Sequence, residues 1–200
     1  MSVLRHTLVA TSQAPALELQ PGFNMGSKST LIRRAHGFSL IELLIVVGVI
    51  LIITAIAIPN LLRSKMAANE ASAAGTIRQI SLAEMTYHTA NSSVGFAPDL
   101  ASLGGPAAGC SPSQAHACIL DSVVSTGSKS GYQFFAAGFL GSGGTTNTTF
   151  VASSAPLVFN SSGVRLFCLA TDDGVVRAKP GAPGVTPAPD VPTCLAYPTL

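Results

Sequence analysis

The run from Leu43 to Leu62 limits this chain more than any other feature, because its 20 residues carry no charge. As a helix at about 1.5 Å per residue it would be roughly 30 Å long, the thickness of a bilayer's hydrocarbon core. Glu42 stands directly before it, at a depth where a carboxylate is costly and is usually retained for a function. A secretory signal peptide also pairs a basic segment with an apolar one. This run, however, exceeds the usual ~7–15 apolar residues, and no convincing A-x-A site follows before a charged helix begins. Pro59 lies near its end and is expected to kink the helix, since proline removes a backbone donor and crowds the preceding turn. Gly48 fits close helix packing. The basic residues Lys28, Arg33 and Arg34 favour a cytoplasmic N-terminus, although Arg63 and Lys65 just beyond the span oppose that orientation.

Beyond Pro59 the pattern changes rather than stops. Leu62, Met66, Ala73, Ile77, Ile80 and Tyr87 keep helical spacing, while Arg63, Glu70, Arg78 and Glu84 are expected elsewhere around the axis. One helix is therefore expected from Phe38 to about Ala90, roughly 80 Å long. Residues 91–118, rich in Gly, Pro and Ser, read as loop. Strands are expected at 131–140, 148–159 and 164–170, the last turning at Asp173-Gly174 into 175–178. The tail from Lys179 to Cys194 is too rich in proline for regular structure to be expected. The fold class is thus α+β: a long N-terminal helix, membrane-spanning then amphipathic, on a small antiparallel sheet.

Charge and chemistry exclude more than they suggest. Without residues 1–37, seven Lys/Arg face eight Asp/Glu, so no basic surface for nucleic acid is expected. Four cysteines, Cys110, Cys118, Cys168 and Cys194, behind a membrane segment suit an oxidising compartment. Of their three possible pairings, Cys110–Cys118 with Cys168–Cys194 is favoured, because each closes a Gly/Pro/Ser-rich excursion. A metal site around Cys110, His116 and Cys118 lacks a second ligand cluster. Asp172 and Asp173 read better as a turn than as a calcium site, and His88 as a surface or core-edge side chain. The glycine-rich 141–148 lacks the Lys-Ser/Thr of a phosphate loop, and no G-x-S-x-G or paired histidine pattern is found. Neither catalytic residues nor a cofactor nor a metal is expected.

The segment Arg33-Arg34-Ala35-His36-Gly37 followed by FSLIELLIVVGVILIITAIAIPNLLRSKMAANEASA resembles the N-terminus of type IV pilin and type II secretion pseudopilin precursors. The elements carrying the resemblance are the basic leader, Gly37 before a cut, Phe38 as first mature residue, Glu42 as the fifth, the apolar helix and Pro59. It implies cleavage between Gly37 and Phe38 by prepilin peptidase and N-methylation of Phe38. It further implies an assembly role for Phe38 and Glu42, and extensibility around Pro59. The organisation it implies is a leader at 1–37, with Met25 the expected start and 1–24 an over-extension. A membrane and filament-core helix at 38–62 follows, then an amphipathic helix half at 63–93, an αβ-loop at 94–130 and a sheet domain at 131–200. The expected protein is a homopolymeric type IV pilus subunit, held in the inner membrane before an assembly platform builds it into an extracellular filament. A type II secretion pseudopilin is the near alternative. A membrane-anchored periplasmic binding module that does not polymerise is the alternative from another class, and an enzyme has no residue constellation behind it.

Overall fold

The computed structural model describes residues 37–106 and 108–200. The expected start at Met25 and the basic residues Lys28, Arg33 and Arg34 lie outside them. Contacts divide the chain into two units, 1–43 and 44–200. Of the first, the described residues Gly37–Leu43 are all exposed.

A single helix, α1, covers Leu40–Ala90 and contains Pro59. Its far boundary matches the expected one, and the helix runs unbroken through Pro59. Within the second unit α1 has two characters. From Leu44 to Lys65 no residue is buried. From Glu70 onward Ala73, Ile77, Ile80, Ala83 and Tyr87 are buried against the sheet. Leu62, expected on the packing stripe, is 55% exposed, because the buried part of α1 begins about two turns further along, at Glu70.

The sheet is a simple antiparallel meander, in the order β1-β2-β3-β4-β5. Its strands are β1 (Ser128–Lys129), β2 (Tyr132–Leu140), β3 (Asn147–Pro156), β4 (Arg165–Ala170) and β5 (Arg177–Pro180). The β1–β2 turn is Ser130-Gly131, both at positive φ (49° and 74°), the conformation that two-residue hairpins require and that glycine tolerates best. β5 pairs Cys168 with Arg177, so the turn after β4 is wider than Asp173-Gly174 alone, and the strand begins at Arg177 instead of the expected Val175.

β3 explains the layering. Its residues 150–156 are all buried, with no polar alternation. Phe150 and Ala152 face α1 with Ile77, Ile80 and Tyr87. Val151 and Ala155 face the other way, against Ala188, Val191, Cys194 and Tyr197. The proline-rich tail is thus a third layer, which the expectation of an irregular tail did not anticipate. It contains a short helix, α4 (Val191–Leu195), started by Asp190, whose carboxylate accepts from the Thr193 amide at 2.8 Å. The Cys168–Cys194 disulfide bonds β4 to this layer, and Cys110–Cys118 closes a loop on the other side.

The region expected as loop, 94–130, is more ordered than its composition implies. It carries α2 (Leu100–Leu103), capped by Asp99, and α3 (Ser122–Ser125). It also supplies Phe96, Leu100, Leu103 and Val124 to the core beside α1.

Candidate functional site

Gly37 and Phe38 precede the first helical turn and have no regular secondary structure. The helix takes over at once: the Leu43 amide donates to the Ser39 carbonyl at 3.1 Å. The Gly37–Phe38 peptide is therefore an exposed, non-helical bond beside a helix start, and a protease can hold only an extended bond of that kind. Phe38 is 81% exposed. Glu42 lies in the first turn of α1 and is exposed as well. It stands four positions after Phe38 in sequence.

The apolar half of α1 forms the rest of this site. Among the described residues, α1 is the one helix long and apolar enough to cross a membrane, and none of its most apolar 18-residue stretch is buried. Leu44, Ile45, Val46 and Val47 are all exposed, and four consecutive residues at about 100° each point around the whole helix rather than along one stripe. A face that is apolar on every side is stable in lipid or among other apolar helices and unstable in water.

Two further carboxylates on α1 depart from expectation. Glu70 and Glu84 are buried, not on the solvent side of the helix. Glu70 accepts from the Val164 amide at 2.9 Å with one oxygen and from Arg165 Nε at 2.7 Å with the other. Glu84, 0% exposed, accepts from the Ala97 amide at 2.8 Å through Oε2, while its Oε1 has no hydrogen-bond partner. Burial pushes the Glu84 carboxyl up to about 8; the Ala97 hydrogen bond opposes this and the charge of Asp99 adds to it. Burial also raises the neighbouring Tyr87 hydroxyl, and Glu84 and Asp99 reinforce that shift. The two carboxylates fasten α1 to the chain that follows: Glu70 holds the entry to β4, and Glu84 holds the 96–97 segment. A sequence signal for both existed. Residues 70, 73, 77, 80, 84 and 87 step by three and four, so both glutamates are in phase with the apolar stripe.

Asp173, at the turn between β4 and β5, pairs with Arg177 and accepts from the Val175 amide, as a turn residue does. His88 is exposed and its ring lies 4.7 Å from that of Phe96, at the edge of the core.

Residues 32–58 match the prokaryotic N-terminal methylation motif. The match takes in Gly37, Phe38 and Glu42 and stops just before Pro59, so the sheet and tail lie outside it. Neither a curated protein nor a solved structure matches the chain. An exposed Gly–Phe bond, a glutamate four positions on and an apolar helix coincide with this motif. The chain carries the prepilin-type signal of type IV pilins and pseudopilins, which implies processing by prepilin peptidase and assembly from the membrane.

Proposed function

We propose that this chain is a structural subunit of a type IV pilus, not an enzyme. The observation that carries the reading is the first half of α1: apolar on all sides, wholly uncovered, and headed by Glu42 next to the prepilin-type signal. Hydrolysis of the Gly37–Phe38 amide frees an amine on Phe38, which methylation leaves able to carry positive charge. In the bilayer the helix is solvated by lipid chains. In a filament it exchanges them for the helices of other copies, an exchange driven by packing more than by burial from water. A carboxylate at the start of such a helix is then an asset. The amine of an entering subunit neutralises the Glu42 of its neighbour, which favours leaving the lipid and fixes the axial register. The sheet and tail face outward, held by two disulfides suited to an extracytoplasmic setting.

The test is Glu42→Ala. The expected result is loss of filaments from the sheared cell-surface fraction at unchanged membrane levels of processed chain. Wild-type sheared material should begin with methylated Phe38. The hairpin that runs through Gly174-Val175-Val176-Arg177 also suits a major pseudopilin, for which processed chain would stay in the membrane fraction. Normal function with Glu42→Ala and an uncut chain would favour an anchored periplasmic module that does not polymerise.

A further inference from the structure

Arg63 and Lys65 follow the apolar run on its translocated side, where cations work against insertion with a cytoplasmic N-terminus. The proposed filament chemistry gives them nothing to do. Lys65 lines a cleft of about 270 Å³ between α1 and the sheet, together with Asn69, Ser130, Gly131, Ser161 and Ser162. We propose that this cleft binds the phosphate of an anionic phospholipid headgroup while the subunit is in the membrane, with Lys65 as the cation and Asn69, Ser130 and Ser161 as hydrogen-bonding groups.

Depth is the first argument. The apolar run ends at Leu62, and Lys65 and Asn69 lie three and seven residues beyond it. At ~1.5 Å per residue these are about 5 and 10 Å past the hydrocarbon edge. The headgroup layer extends roughly 5–7 Å beyond a ~30 Å core on each side. Lys65 therefore stands within the headgroup layer and Asn69 just beyond it, so the cleft opens at the outer edge of that layer, with its cation on the lipid side.

Chemistry is the second argument. The cleft has no apolar side chain among its lining residues, unlike the groove beside Arg78, which Leu82, Leu169, Val175 and Leu200 line. The Asn69 amide donates to the Ser162 carbonyl at 2.9 Å, which fixes its orientation at the cleft wall. Ser130 Oγ lies 3.2 Å from Ser72 Oγ, and its residue forms the β1–β2 turn with Gly131. A mobile ammonium above a floor of hydroxyls and an amide suits a phosphodiester, which offers only acceptors.

Charge distribution is the third. Arg63, Lys65, Lys129 and Arg165 stand at this end of the second unit, near one carboxylate, Glu70, which Arg165 already engages. Asp172 and Asp173 follow the opposite end of β4, and Glu84 lies 14 residues further along α1. The end that carries these cations is the one next to the apolar run, and Glu84, Asp172 and Asp173 lie away from it. Such an end is attracted to anionic lipid by about 1 kcal/mol per cation near the surface.

The proposal rests on the membrane-inserted state but not on filament formation. Its test uses the full chain in nanodiscs of phosphatidylcholine, with or without about one third phosphatidylglycerol, and reads amide hydrogen exchange over residues 128–133 and 160–163. The expected result is exchange about fivefold slower in both segments with phosphatidylglycerol. Lys65→Gln and Ser161→Ala should abolish this protection. Arg63→Gln, which removes an equal charge outside the cleft, should preserve it. Inserted chain with no protection, or equal loss from Arg63→Gln and Lys65→Gln, overturns the site. Protection by inorganic phosphate in pure phosphatidylcholine overturns the lipid as its ligand in favour of free phosphate. Failure to insert at all overturns this inference and the membrane reading together, whereas absent filaments in cells leave the nanodisc result standing.

Discussion

At the scale of single residues, Glu84 is the least expected feature of the chain. A carboxyl buried beside Ile80, Ala83 and Tyr87 keeps one hydrogen bond, from Ala97, and leaves its other oxygen unsatisfied. It is therefore easier to bury protonated, which is why its pKa rises from 4.5 to about 8. The sign of the consequence follows. Between those two values the folded chain holds a proton that the unfolded chain has released. Stability then falls as pH rises through this window, by at most about 1.4 kcal/mol per pH unit from this group, and levels off above it. Glu84→Gln retains an acceptor for the Ala97 amide and carries no charge. The difference in urea unfolding free energy between wild type and Glu84→Gln should thus move in favour of the variant from pH 5 to pH 8, by a few kcal/mol. A difference that stays flat across the window would mean that Glu84 titrates normally. Glu70 is buried too, but both of its oxygens are partnered, one by the Val164 amide and the other by Arg165. Composition arguments place charged residues outside. Phase arguments place these two inside, and here phase wins because each carboxylate meets a backbone amide, that of Val164 for Glu70 and that of Ala97 for Glu84.

At the scale of elements, the tail layer combines one disulfide and one short helix with the apolar packing of Ala188, Val191 and Tyr197 on the sheet. Asp190, Pro192 and the Thr193 amide form a helix start of ordinary kind: an acceptor side chain at the N-cap and proline within the first turn. The local signal was present, but a helix of five residues disappears in a segment otherwise dominated by proline. The same reasoning covers 94–130. Its glycines and serines dominate the composition, while Phe96, Leu100, Leu103 and Val124, spread too far apart to show a period, bind it to the core. Strands β2, β3 and β4 were legible because short apolar and aromatic runs stand out between segments rich in glycine, serine and asparagine. Disulfide Cys168–Cys194 spans 26 residues and Cys110–Cys118 spans 8. The loop-closure model assigns them about 3.5 and 2.5 kcal/mol respectively. Replacing both Cys168 and Cys194 with alanine also empties space between two fully buried positions, so it should cost more again. Urea midpoints of the two double-alanine variants should rank in that order. A larger loss from Cys110/Cys118 would mean that the tail is not a true third layer.

At the scale of the whole chain, one helix serves two solvents, and the second unit shows where the change falls. The first buried residue of α1 is Glu70, and from Leu44 to Lys65 the helix adds nothing to either core. What the apolar half is for was the most legible part of the sequence, since an uncharged run behind a basic leader admits few readings. What the sheet and tail recognise was not legible, because antiparallel meanders carry many functions and none of their residues falls within the matched motif. The separation has a direct consequence. A fragment beginning at Arg63 retains Glu70, both buried clusters and all four cysteines. It should fold in water without detergent and form both disulfides. Its melting temperature should lie within about 3 °C of the full chain in detergent, corresponding to less than ~1 kcal/mol. The full chain, by contrast, should remain with membranes through alkaline washing and leave them only with detergent, because its exposed apolar helix has no partner in water. Calorimetry on the fragment and fractionation of the full chain measure the two halves separately. A fragment that fails to fold would show that the apolar half supports the sheet after all, and the division of labour along α1 would have to be abandoned.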